Sequence, residues 1–140
     1  MKILIVDDEP GTRLMVATAV ERLGHQAIQA GDGAEGWRAF EAGRPQVVIT
    51  DWAMPGLDGT QLVARIRAAG GAYTYVILLS GRADDAASRE AVQTGADGVL
   101  AKPPEPAQLE RGLIAAERLI AMHQKMRDDA RRDPLTGAGS

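Results

Sequence analysis

Five short apolar runs punctuate the chain, each followed by a stretch whose apolar residues recur at helical spacing. KILIV (Lys2–Val6) is rich in β-branched residues and reads as a strand buried on both faces. Pro10 suits the first turn of a helix that buries Val16, Ala17, Val20 and Leu23, and Gly24 stops it. QAIQA (Gln26–Ala30) is a weaker strand, followed by an Asp32-Gly33 turn and a short helix carrying Trp37 and Phe40 inward. Pro45 precedes the strand VVIT (Val47–Thr50), and Met54-Pro55-Gly56 marks a loop. Leu62, Val63 and Ile66 belong to a third helix that Gly70-Gly71 closes. YVILLS (Tyr75–Ser80) is a strand, Asp85–Thr94 a helix ended by Gly95, and GVLA (Gly98–Ala101) the fifth strand. A long last helix starts near Pro106.

Strand and helix thus alternate five times with short connections, which predicts a parallel sheet covered by helices on both faces. Five right-handed units suit an α/β doubly wound (βα)5 fold of the flavodoxin-like kind, with strand order 2-1-3-4-5. With 45% hydrophobic residues the chain can bury a core. The absence of cysteine excludes a disulfide framework and fits a reducing compartment. A net charge of −3 gives no general pull toward nucleic acid or an anionic membrane. The apolar run at the N-terminus is too short for a signal peptide or a membrane span, so the expected location is cytoplasmic.

The polar residues at the strand ends carry the chemistry. Asp7, Asp8 and Glu9 follow the first strand, Asp51 the third, Ser80 ends the fourth, and Lys102 follows the fifth. In a parallel sheet these ends share one edge, where the crevice opens. Clustered carboxylates repel one another unless a cation sits among them, and hard oxygen ligands select Mg²⁺, Mn²⁺ or Ca²⁺. A lysine and a hydroxyl on the far side, opposite the acids, add a point charge and a hydrogen-bond donor and so make a slot for an anion, with phosphoryl the natural candidate. An aspartate can attack phosphorus and hold it as an acyl phosphate. Each residue has a plainer reading alone: Asp51 as a loop acid or cap, the acidic triplet as company for a helix N-terminus, Ser80 as a cap, Lys102 as a surface charge. Together those readings do not explain why four strand ends share one polar layout.

The segments ILIVDDEP, VVITDWAMPGLDG, ILLSG and GADGVLAKP, in that order, resemble a response-regulator receiver domain of two-component systems over roughly Met1–Met122. The resemblance implies that Asp51 is the phosphoacceptor. It implies Mg²⁺ (or Mn²⁺) held by Asp7, Asp8, Asp51 and the backbone carbonyl of Ala53. Ser80 matches the switch hydroxyl and Lys102 the phosphoryl-binding lysine, followed by a usually cis bond to Pro103. The implied partners are a histidine kinase or histidine phosphotransfer protein as donor. This sequence departs from the pattern in places. Val99 stands where a switch aromatic is common and Pro104 where Phe is common. Ala53 and Arg82 occupy positions that influence the lifetime of the phosphoryl group.

No breaker interrupts the last helix before Pro134. Leu109, Leu113, Ala116 and Ile120 form its inward stripe, and Leu119, Met122 and Met126 a second one with the spacing of a dimer seam. A homodimer through this helix, or through the face made by the fourth helix, fifth strand and last helix, is expected. RRDPLTG resembles the opening of a GGDEF diguanylate cyclase domain. The division expected is a receiver domain at 1–122, then a helical linker and the start of a truncated output domain at 123–140, with no catalytic GGDEF sequence in the chain. Two other functions compete: an Asp-based, Mg-dependent phosphohydrolase, and a stand-alone or pseudo-receiver scaffold. Against the first, Asp7 and Asp8 are adjacent, not two apart. Against the second, the polar set is intact.

Overall fold

The computed structural model describes residues 1–81 and 85–132. Arg82 and the DPLTG segment therefore lie outside the described residues. Ten elements alternate: β1 (Lys2–Val6), α1 (Pro10–Arg22), β2 (Gln26–Ala30), α2 (Gly33–Gly43), β3 (Val47–Asp51), α3 (Gly59–Ala69), β4 (Tyr75–Ser80), α4 (Asp85–Thr94), β5 (Gly98–Ala101) and α5 (Pro106–Arg132). The strands pair in parallel in the order β2-β1-β3-β4-β5, the doubly wound arrangement the pattern predicts.

The apolar interior strands β1, β3 and β4 pack on both faces, because successive side chains point to opposite sides. Ile3, Ile5, Val47, Ile49, Ile77 and Leu79 meet α1 and α5 through Val16, Val20, Leu109 and Leu113. Leu4, Val6, Val48, Val76 and Leu78 meet α2, α3 and α4 through Phe40, Leu62, Ile66 and Ala91. QAIQA reads weakly because β2 is an edge strand, paired only with β1 and half open to solvent. No helix among the described residues is long and apolar enough to cross a membrane.

Three local expectations change. Asp32 is not a free turn residue: its carboxylate accepts the Glu35 amide at 2.8 Å and caps α2. Trp37 is only half-buried, packed on the margin of the core and stacked on Phe40 at 5.6 Å, while Phe40 is fully buried within it. Leu119 is not part of a free second stripe. It packs against the core beside Ile120, leaving Met122 and Met126 exposed.

Two glycines fix the loop after β3. A Cβ on Gly59 would lie 2.3 Å from the Asp51 carbonyl oxygen, and one on Gly33 would lie 1.9 Å from that of Leu57. Only hydrogen fits, so the loop closes tightly over the end of β3. A reciprocal capping box, Asp58 with Gln61, then starts α3.

At the opposite edge of the sheet, Tyr73 donates a short hydrogen bond to Asp97, which also pairs with Arg67 at 2.8 Å. Burial, with the Asp97 carboxylate beside it, pushes the Tyr73 phenol up to about 12. An unfolded tyrosine ionises near pH ~10. Between those values the unfolded chain binds fewer protons than the folded one. This contribution to stability is therefore complete below pH ~10 and is lost as pH rises toward 12. Tyr73→Phe should show a shallower alkaline fall in urea midpoint than the unaltered protein. Identical alkaline slopes would count against the Tyr73–Asp97 bond.

Candidate functional site

The C-terminal edge of the sheet gathers the acids. Asp7 leaves β1 fully buried, anchored through its backbone by the Ala30 carbonyl at 3.1 Å and by Arg13, which donates to its carbonyl at 2.9 Å. One carboxylate oxygen, Oδ1, accepts the Glu9 amide at 2.9 Å and faces the Lys102 ammonium at 3.3 Å. The other, Oδ2, is buried with no hydrogen-bond partner. Asp8 points into the exposed lip. Asp51 ends β3 and is 6% exposed, with Oδ2 2.8 Å from Lys102 Nζ. One oxygen each from Asp7, Asp8 and Asp51 falls within a 4.8 Å cluster.

Lys102 reaches this cluster from the end of β5, where its amide donates to the Ser80 carbonyl at 2.9 Å. The Lys102–Pro103 peptide is cis, as the resemblance implies. The ammonium is not on the far side of the slot. It lies among the acids, with Glu9 Oε1 a third partner at 2.5 Å. Burial alone would lower the Lys102 pKa, but the bonds to Asp51 and Glu9 outweigh it and raise it. Asp51 moves up as well, first because it is buried and then because Asp7 and Asp8 repel it, with Lys102 pulling the other way. Among the described residues Lys102 thus pairs with three carboxylates, and Asp8 adds a further acid to the cluster, so negative charge is in excess there.

That arrangement fits a divalent cation. A buried carboxylate oxygen with no donor is costly unless something positive faces it, and an all-oxygen set suits Mg²⁺ or Mn²⁺. The cluster of Asp7, Asp8 and Asp51 is the acid set that the resemblance implies would hold Mg²⁺.

Beside the acids a cleft of about 220 Å³ is lined by Asp51, Trp52, Ala53, Ser80, Gly81, Ala87 and Glu90. The structure thus brings Asp51, Ser80 and Ala53 to one cleft, and beside it Lys102 joins Asp51 to Asp7, 95 residues away in sequence. Val99 is half-buried against the α2–α3 side of the core. Two residues were not singled out by sequence reasoning. In sequence Glu9 is one of an acidic triplet, and its place directly after the acid pair is the signal that it can share their lysine. Glu90 carries no local signal at all, since an acid on the exposed side of a helix is ordinary.

A response regulator receiver domain matches residues 3–113. The transcriptional regulatory protein CseB of Streptomyces coelicolor is 32% identical over 138 residues, covering 99% of this chain and 56% of that protein. The probable chemotaxis protein CheY of Rhizobium etli is 36% identical over 105 residues, covering 74% of this chain and 81% of that one. A receiver domain protein from Clostridium thermocellum superposes with a TM-score of 0.79 at 29% identity, over 86% of this chain and 97% of that one. The chain spans about half the length of the first curated relatives it matches. The strand order, the acid cluster at the sheet edge and these matches agree: the chain belongs to the response regulator receiver domain family and is the receiver domain of a two-component response regulator.

Proposed function

We propose that Asp51 accepts a phosphoryl group from a phosphohistidine on a histidine kinase or phosphotransfer protein. The observation that carries this is the Asp51 carboxylate, buried at the floor of the cleft and paired to Lys102 at 2.8 Å. The lysine favours the ionised, nucleophilic form. A carboxylate oxygen of Asp51 attacks phosphorus, an O–P bond forms, the P–N bond of the donor breaks, and the released imidazole takes a proton from water. Asp7, Asp8, Asp51 and the Ala53 carbonyl would hold Mg²⁺, which supplies charge neutralisation at the phosphoryl oxygens. Lys102 then passes from the carboxylate to the new phosphoryl oxygens, and Ser80, at the cleft's other wall, donates to them.

Intact mass after incubation with Mg²⁺ and acetyl phosphate tests this reading. A single labile phosphoryl adduct supports it. Turnover of the donor with no adduct supports the phosphohydrolase, and no reaction supports a pseudo-receiver scaffold.

The receiver extends over 1–122, and 123–140 links it to an output domain in this reading. DPLTG at Asp133–Gly137 favours a diguanylate cyclase of the GGDEF type. A cyclase joining two GTP molecules needs two half-sites face to face. The exposed Met122 and Met126 on α5, or Val92 and Ile114 on the α4-β5-α5 face, would then mediate a homodimer. A second reading, a DNA-binding output, is favoured by the relatives named transcriptional regulators. Assaying a polypeptide that carries this segment with its downstream sequence for cyclic di-GMP synthesis from GTP separates the two.

A further inference from the structure

Helix α5 leaves the body of the domain at a defined contact. Its buried stripe is Leu109, Leu113 and Ala116, with Leu119 and Ile120 half-buried after it. His123 then lies flat on the Tyr73 ring, centroids 4.1 Å apart and planes 1° from parallel. Beyond it, residues 124–131 are exposed except for half-buried Asp128. Among the described residues, His123 is the last side chain of α5 to meet the body through a ring, hydrogen-bond or ion-pair contact.

Tyr73 is itself held. Its hydroxyl donates to Asp97 Oδ1, and the Arg67 guanidinium lies 4.9 Å from its ring. Asp97 Oδ2 accepts from Arg67 and from the Val76 amide, both at 2.8 Å. Arg67 also donates to the Gly95 and Thr74 carbonyls at 2.9 and 2.6 Å. Both carboxylate oxygens of Asp97 and its amide are thus held at the start of β5. Asp97 immediately precedes β5, and Lys102 immediately follows it. A four-residue strand therefore carries the cleft's ammonium at one end and the support of the Tyr73–His123 stack at the other.

We propose that Tyr73, Asp97 and His123 are positioning residues that couple occupancy of Asp51 to the orientation of α5 beyond Ile120. The proposal rests on Asp51 being the phosphoacceptor. When the Asp51 carboxylate becomes an acyl phosphate, Lys102 exchanges a partner at 2.8 Å for oxygens that lie further out. An extended strand hydrogen-bonded to β4 transmits a small shift of its end, because its backbone is already near full length and cannot take up slack. Asp97 carries that shift to the Tyr73 hydroxyl. The stacked ring passes it to His123, where a small tilt is enlarged along the nine helical residues that follow.

The test uses the whole chain with beryllofluoride and Mg²⁺ as the phosphoryl mimic, reading amide hydrogen exchange along residues 121–131. In the unaltered protein the mimic is expected to change exchange rates there several-fold. His123→Ala should bind the mimic normally, monitored by fluorescence of Trp52 in the cleft, yet lose the change in α5. Alanine favours helix, so the loss would not come from local unwinding. Tyr73→Phe keeps the stack but lacks the hydroxyl, and should lose the change as well. His123→Phe restores a stacked ring and should recover it. An undiminished α5 response in His123→Ala and Tyr73→Phe, or no α5 response in the unaltered protein, overturns the coupling. Failure of the unaltered protein to form any adduct at Asp51 is a different result, which overturns the phosphoacceptor reading together with this one.

Discussion

Replacing Asp51 by Asn is expected to abolish the phosphoryl adduct while the domain stays folded. The side chain keeps its shape, and its amide oxygen still accepts from Lys102, so the 2.8 Å contact has a neutral successor. An amide oxygen is not a competent nucleophile toward phosphorus. The neighbouring acids are poor substitutes. Asp7 is fully buried, and one of its oxygens is taken by the Glu9 amide and Lys102. Asp8 sits on the exposed lip and does not line the cleft. Removing one negative charge from a cluster where Asp7 and Asp8 already repel Asp51 also offsets part of the lost ion pair. Thermal stability should therefore change little in chelator. The measurement is intact mass after acetyl phosphate and Mg²⁺, with circular dichroism to verify the fold. An adduct of equal yield in Asp51→Asn would remove Asp51 from its assigned role.

Lys102→Met is expected to cost about 3 kcal/mol of folding stability in chelator, because removing one partner of a buried ion pair leaves the others uncompensated. Methionine keeps the length and apolar stem of the lysine, so the loss reports charge more than packing. The lysine is the cation within reach of Asp7, Asp51 and Glu9, and the first two are almost completely shielded from water. For a domain of this size the melting temperature should fall by about 10 °C. Millimolar Mg²⁺ should return part of that loss, since a cation that binds only the folded acid cluster stabilises it by mass action. Phosphoryl uptake should slow, because the ammonium that neutralises the incoming oxygens is gone. An unchanged melting temperature in chelator would mean that the acids accommodate their repulsion without the lysine. A loss that Mg²⁺ does not reduce at all would mean that metal and lysine do not answer the same charges.

Much of the candidate site was legible before any coordinates. Asp7, Asp51, Ser80 and Lys102 each stand at the C-terminal end of an apolar run, and parallel strands place all such ends on one edge. Relations across that edge were less legible. The lysine was expected opposite the acids, yet it lies among them with Glu9 as an added partner, because one long side chain reaches any carboxylate within its arc. Glu90 enters the cleft through the placement of α4 against β5 and α3, which no local pattern encodes. Leu119 belongs to a second stripe by periodicity and to the core margin in the fold, because helical periodicity says which residues share a face but not where the body beneath that face ends. Asp32 beside Gly33 suits a turn and a helix cap equally well, and the start of α2 decided for the cap.

What the sequence determined by itself is periodic: alternating strand and helix, the buried runs, the strand order they favour and the acids that close the strands. Those features depend on neighbours a few residues apart, where hydrophobic spacing and backbone preference act directly. Tertiary structure decided what depends on partners brought together from afar. The three-acid grip on Lys102 spans β1, β3 and β5. The stack of His123 on Tyr73 joins residues 50 positions apart, and neither ring advertises the other in the chain. Both contacts exist because the sheet fixes the ends of its strands to within ångströms, and side chains then settle the remaining charge and packing among whatever that geometry sets side by side.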